Sequence, residues 1–234
     1  MNSEIKPSRR ECERNSLSAA NLLHGVEALK KNGYLIVRDV LPREHLMRLK
    51  GILDSEWNAF IQSPPAWRGG GKIIGHLGLI PPKTDDFITP EILCNPIVQS
   101  IVNGVLGEVV CITGIGGNVN MANSVDQQFH SDLDCPQTDK LMVNIPLGDV
   151  DERNGSLELI SGTHMSGATG EQRSLRANTA NGDVIIRFLH LQHRGKRNPS
   201  RHPRHMLGIW QTAMSAERQK TEPFSLAPQT ADLL

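Results

Sequence analysis

Gln127–Gln128–Phe129–His130–Ser131–Asp132 says more about fold and chemistry than any other stretch of this 234-residue chain. Taken as a strand, it projects His130 and Asp132 from one face, because side chains alternate with a period of two. An imidazole beside a carboxylate is two thirds of the 2-His-1-carboxylate facial triad that holds non-haem Fe(II) and leaves coordination positions open. The third ligand is expected on a later, neighbouring strand, where His193 in Leu191–Gln192–His193–Arg194–Gly195 can supply it. Further along, Arg204 is a cation able to clamp a dicarboxylate co-substrate.

A lone His-x-Asp is weak by itself. The chain has nine histidines. Acidic residues fill about 12% of positions in an average protein, so about one such pair arises by chance. That chance pair would be a surface histidine beside a solvated aspartate. The succession around the motif carries the weight. Asn154–Gly155–Ser156–Leu157–Glu158–Leu159–Ile160–Ser161–Gly162–Thr163–His164 follows, then Gly182–Asp183–Val184–Ile185–Ile186–Arg187–Phe188, then His193, and then Arg204 entering another apolar run.

With Asn32–Gly33–Tyr34–Leu35–Ile36–Val37 and a helix after it, these segments make the chain resemble the phytanoyl-CoA dioxygenase-like (PhyH) family of Fe(II)/2-oxoglutarate oxygenases. The resemblance runs over roughly residues 32–212. It implies His130, Asp132 and His193 as the catalytic, metal-binding residues, Fe(II) as the metal, 2-oxoglutarate and dioxygen as co-substrates, and ascorbate as a supporting reductant. Arg204 resembles the family arginine that pairs with the distal carboxylate of 2-oxoglutarate; a guanidinium can do so through two parallel hydrogen bonds.

Asn120, on the strand before the His-x-Asp strand, is similar to an asparagine that faces the family's metal pocket. Lys72, beside Gly69–Gly70–Gly71, matches an upstream lysine of some relatives, and His76 lies in the same loop-rich region. Gln127 is implied in co-substrate binding, yet its odd spacing from His130 turns it away on a regular strand, so it reaches the pocket only through a bulge. Asp132 fills a position that related halogenases leave to halide, which implies hydroxylation, desaturation or ring formation instead. Two departures stand out. Gln192 replaces an aromatic residue of many relatives, and Gly195 replaces a Ser or Thr whose hydroxyl helps hold the co-substrate.

Composition narrows the rest. Equal numbers of basic and acidic residues, 25 of each, lend no support to nucleic acid as a partner. The apolar runs are shorter than the ~20 residues that cross a bilayer, so no membrane partner is expected. Met1 to Ser16 is polar and mixed in charge rather than a leader, and Cys12, Cys94, Cys111 and Cys135 show no Cys-x-x-Cys spacing. Free thiols in the cytoplasm are the expectation, in a monomer or homodimer.

Residues 1–16 read as a flexible arm, 17–215 as one domain and 216–234 as a polar tail. Ser18 to Lys31 has helical periodicity ending at Gly33, and Pro42 starts a helix with Leu46, Leu49, Leu53, Trp57 and Phe60 on one stripe. Thr89–Pro90 caps a third helix, interrupted at Pro96. Short strands follow, expected at 109–115, 118–122, 126–132, 140–147, 156–160, 183–188, 190–194 and 205–213. The fold class is mainly β with flanking helices: a double-stranded β-helix, the cupin-like jelly roll.

The expected function is oxidation of an unactivated C–H bond of a small-molecule substrate, in natural-product, sugar or amino-acid-derivative tailoring. With nine Phe, Trp and Tyr residues in all, a polar or aliphatic substrate is favoured over a flat aromatic one. The alternatives are a non-catalytic ligand- or metal-binding protein or partner subunit on the same fold, and a cupin-like metalloenzyme that does not use 2-oxoglutarate.

Overall fold

The computed structural model describes residues 2–56, 59, 61–62, 71, 73–107, 109–133, 138–165 and 174–214. In chain order the elements are β1 (Glu4–Ile5), α1 (Arg9–Glu13), α2 (Ala19–Asn32), β2 (Tyr34–Val37), α3 (Arg43–Glu56), β3 (Ile61–Gln62), β4 (His76–Leu79), α4 (Pro90–Leu93), α5 (Pro96–Leu106), β5 (Val110–Asn120), β6 (Lys140–Pro146), β7 (Leu157–Ile160), β8 (Ser174–Ala177), β9 (Val184–Phe188), β10 (His193–Gly195) and β11 (Arg204–Ala213). The chain is a jelly roll. Its major sheet runs β1-β2-β9-β6-β11-β5-β4-β3, and its minor sheet runs β10-β7-β8.

Strand β9 explains how the layers stack. All five of its residues are buried, as befits a strand covered on both faces. Val184, Ile186 and Phe188 join Leu35, Val37, Val143, Ile145, Leu207 and Ile209 in a core that includes Leu29 of α2, Leu46 and Leu49 of α3 and Ile101 of α5. The alternate residue Ile185 packs with Tyr34, Ile36, Leu157, Leu159, Ala177 and Leu191 in a second core between the sheets. Arg187 has the same parity as Ile185, so it too points inward, beyond the end of that apolar patch. The site is built there.

The helix signals act as local chemistry dictates. Gly33 ends α2 at φ +82°, in the left-handed region that glycine enters without a Cβ penalty. The interruption at Pro96 separates α4 from α5. Asn95 caps the new helix by accepting from the Ile97 and Val98 N–H groups at 3.1 and 3.2 Å, while Pro96 occupies a first-turn position whose missing N–H costs nothing.

Other expectations need correction. The supposed flexible arm is ordered: β1 pairs in parallel with β2, with Ile5 opposite Val37, and Ile5 is buried. Its sequence is polar enough to hide that single apolar anchor. Ser8 and Glu11 form a capping box on α1, and Glu11 also accepts from the Ser18 N–H at 2.6 Å. The strands expected at 109–115 and 118–122 are one strand, β5. The 126–132 strand reduces to a bridge at His130, and β8 was not anticipated. Lys72, the Trp57 and Phe60 end of the helical stripe, Gly69–Gly70, Cys135 and the 216–234 tail lie outside the described residues.

The Glu11 contacts carry a prediction. Backbone N–H donation from Ser18 and Ser8 lowers the Glu11 pKa from its ordinary 4.5 to about 2. A depressed carboxyl stabilises the docked state above its unfolded value and loses that contribution as pH falls through its folded value. The amide resonances of Ser8 and Ser18 should therefore hold steady above about pH 4.5 and shift toward unfolded positions as pH approaches 2. No change across that window would show that Glu11 does not hold the segment.

Candidate active site

The segment 127–132 lies beside β10 and is offset by one residue. Gln127 N–H donates to Gly195 O at 3.0 Å, whereas His130 exchanges backbone hydrogen bonds of 3.0 and 2.9 Å with His193. Three positions on one side thus span two on the other, which is a β-bulge. The bulge reverses the alternation, so Gln127 and His130 both line the cavity. Gln127 Oε1 accepts from the Gly195 N–H at 2.7 Å, pinning the bulge.

His130 and His193 are a directly opposed cross-strand pair, with ring centroids 4.5 Å apart. Each ring is oriented by its own backbone. Nδ1 of His130 lies 2.9 Å from Gln128 O, and Nδ1 of His193 lies 2.9 Å from Leu191 O. A carbonyl only accepts, so both Nδ1 atoms carry the proton and both Nε2 atoms keep a lone pair. Asp132 completes the cluster, its Oδ1 3.7 Å from His193 Nε2. One ligand atom from each of the three residues falls within 4.8 Å of the others.

Arg187 of β9 was not singled out from sequence. Its Nη2 donates to Asp132 Oδ2 at 2.6 Å, and its Nε donates to Asn144 Oδ1 at 3.0 Å. Burial alone would raise the Asp132 pKa; the Arg187 guanidinium and the neighbouring imidazoles outweigh it and hold the carboxyl well below the usual carboxylate range. His193 moves the other way. Burial, reinforced by Arg187, depresses it to about 3, so the imidazole is neutral near pH 7. The neutral His193 imidazole, the His130 imidazole with its Nδ1 turned to a carbonyl, and an ionised carboxylate suit a divalent cation of borderline softness.

The cavity of about 200 Å³ beside this cluster also reaches Arg204. Arg204 is buried. Its Nη1 donates to Asn118 Oδ1 at 2.8 Å and its Nη2 to Gly155 O at 3.0 Å. No carboxylate among the described residues pairs with it, and burial lowers its pKa to about 10. A buried cation held only by neutral oxygens, with Nε unpartnered, is poised for an anion. Gly155 presents its carbonyl from a turn at φ +85°, where a Cβ would lie 2.3 Å from Asn120 Nδ2. Only glycine fits there.

Asn120 is corrected by its surroundings. Its amide donates to Lys196 O at 2.8 Å and accepts from Ser124 Oγ at 2.5 Å, inside a fully buried network. On this strand the cavity-lining asparagine is Asn118, two residues earlier on the same face. His76, which the sequence placed in a loop, belongs to β4 and is buried against Gly195: a Cβ at Gly195 would meet His76 Cε1 at 2.7 Å. The space that a side chain at 195 would need is filled by the imidazole and by Gln127.

The basic run after His193 is partly structural. Arg194 stacks 4.2 Å over the Phe129 ring and pairs with Glu158, and Lys196 pairs with Asp126. These contacts tie the bulged segment to the minor sheet.

The sequence profile of the phytanoyl-CoA dioxygenase (PhyH) family matches residues 29–206. The chain belongs to that family. Solved structures with the same fold include the non-heme alpha ketoglutarate dependent epimerase SnoN from nogalamycin biosynthesis, 14% identical, with a TM-score of 0.68 over 90% of this chain and 93% of that one. The carbocyclase SnoK from the same biosynthesis is 16% identical, with a TM-score of 0.65 over 88% and 86%. EctD from S. alaskensis, solved with bound Fe, is 18% identical, with a TM-score of 0.60 over 84% and 77%. In this PhyH-family chain the residues most easily missed from sequence are Arg187, Asn118 and Asn144. Each sits in a run that reads as ordinary strand or loop, and each acquires its role from a cross-strand neighbour.

Proposed function

We propose that the chain is a non-haem Fe(II)/2-oxoglutarate-dependent oxygenase that oxidises an unactivated C–H bond of a small molecule, by hydroxylation, desaturation or ring formation. The observation that carries this reading is a single cavity that joins two imidazoles oriented by their Nδ1 hydrogen bonds and an ionised carboxylate to a buried arginine with no carboxylate partner among the described residues. Family membership supports it. So do neighbours described as an epimerase, a carbocyclase and an enzyme bound to 2-oxoglutarate and 5-hydroxyectoine.

His130 Nε2, His193 Nε2 and an Asp132 oxygen would hold the ion. When bound, Fe(II) with 2-oxoglutarate and dioxygen supplies the oxidising power for C–H cleavage. The protein's own work is positional. Arg187 keeps Asp132 ionised and donates to Oδ2, with Oδ1 on the side of His193. Asn118 and Gly155 fix the plane of Arg204 so that its guanidinium can meet the distal carboxylate of 2-oxoglutarate in fixed orientation. Met142, Met206 and Leu157 line the same cavity with apolar surface that limits water.

The test is succinate release. Purified protein with Fe(II), ascorbate and 2-oxoglutarate should form succinate above a metal-free control, with further stimulation by candidate metabolites. If it forms none and binds no 2-oxoglutarate by calorimetry, the oxygenase reading fails and a binding role on the same fold takes its place.

A further inference from the structure

The inward face of the major sheet is unusually bare on one side of the cavity. Register aligns Arg187, Met142, Trp210 and Gly114 in one row across β9, β6, β11 and β5, and the next row toward Arg204 contains Asn144, Gly208 and Gly116. A Cβ built on Gly116 would stand 2.9 Å from the Trp210 indole, and one on Gly114 would stand 3.3 Å from it. The indole therefore lies down across β5 instead of standing off the sheet. Met142 does the same beside it, with its Sδ 3.0 Å from where a Gly208 Cβ would be.

The result is an apolar floor. Trp210 is half-buried and, among the described residues, is the one Phe, Trp or Tyr lining the cavity. Two strand spacings, about 10 Å, separate its row position from that of Arg187, whose guanidinium holds Asp132 at 2.6 Å.

We propose that Trp210, laid over Gly114 and Gly116, is a stacking platform that selects a substrate bearing a planar unsaturated ring. A ring resting on the indole has its rim directed toward the Asp132 side of the cavity. Size limits what enters. An apolar cavity of roughly 150 Å³ takes one benzene, and this one, at about 200 Å³, must also admit the dicarboxylate. With the dicarboxylate in place only part of one ring enters, resting on the indole, while the remainder of the molecule projects from the mouth. The count of aromatic residues in the chain favoured a polar or aliphatic substrate; the position of this single indole matters more than the count.

The proposal deepens the oxygenase reading, which it needs for the reaction but not for binding, because the platform is present without metal or co-substrate. Binding of naphthol and of its fully saturated counterpart, decalol, is measured by calorimetry on the full chain, alone and with Ni(II) and 2-oxoglutarate. Aromatic stacking predicts a roughly threefold to tenfold preference for naphthol in both states. Trp210→Phe should retain most of that preference and Trp210→Leu should erase it. Gly116→Val, which lifts the indole while keeping it, should also erase it and covers the case in which the leucine variant fails to fold. Equal affinity for the two probes, no naphthol binding, or a preference that survives both variants overturns the proposal. Failure to bind 2-oxoglutarate with the naphthol preference intact would instead count against the oxygenase reading alone.

Discussion

Asp132→Ala should abolish 2-oxoglutarate-dependent succinate formation and, in the same protein, lower thermal stability. The first effect follows from removing one of three ligand side chains whose donor atoms lie within 4.8 Å of one another. The second follows from Arg187. Its side chain is only 5% exposed and donates to Asp132 at 2.6 Å, and removing one partner of a buried pair leaves the other charge unpaired at a cost of about 3 kcal/mol. Asp132 retains some contact with solvent, which keeps the expected loss at the low end of the usual range.

The double variant Asp132→Ala/Arg187→Leu separates the two effects. It should recover much of the lost melting temperature while remaining inactive, since it removes the stranded charge without restoring a ligand. Measurable turnover in Asp132→Ala would remove this aspartate from the metal site.

Arg204→Met should raise the apparent KM for 2-oxoglutarate by about 100-fold or more. Two hydrogen bonds to a charged group contribute about 1.5–3 kcal/mol each, and every 1.4 kcal/mol is tenfold. Stability should move little or rise, because the guanidinium is buried against neutral oxygens with no carboxylate partner among the described residues and with Nε unpartnered. The contrast with Asp132→Ala is informative. One substitution breaks a buried ion pair; the other removes a buried cation held by neutral oxygens. Arg204→Lys should fall between wild type and methionine, since a point charge cannot reproduce the planar two-bond geometry. A KM for 2-oxoglutarate unchanged in Arg204→Met would assign the co-substrate to another cation.

The His-x-Asp pair was legible because its requirement is local, whereas His193, far along the chain, was reached through the succession of segments and the family resemblance. His-x-Asp needs only neighbouring positions, and His193 needs a strand that returns beside it. Arg204 entered as a candidate through its resemblance to the family arginine, and the structure places it on the wall of the same cavity. The helix ends were legible from local signals: Gly33, Thr89 and Pro96 act through backbone geometry within a few residues.

What stayed hidden depends on register between distant strands. Arg187 reads as a polar interruption in Val184–Phe188 until β9 brings it under Asp132. Gln127 faces the cavity only because the bulge inserts one extra residue opposite β10. Asn118 and Asn120 share a face and a residue type, and the one covered by Gly155 and Lys196 is decided by how that loop packs.

The amino-acid sequence alone determined a β-rich chain with a His-x-Asp pair, defined helix ends and candidate partners in His193 and Arg204, because alternation, capping and spacing act over short range. The tertiary structure alone decided that Arg187 pairs with the ligand carboxylate, that Gln127 turns inward and that Trp210 lies flat over glycines. Those outcomes come from pairing strands far apart in the chain, where a shift of one position sends every side chain to the opposite face.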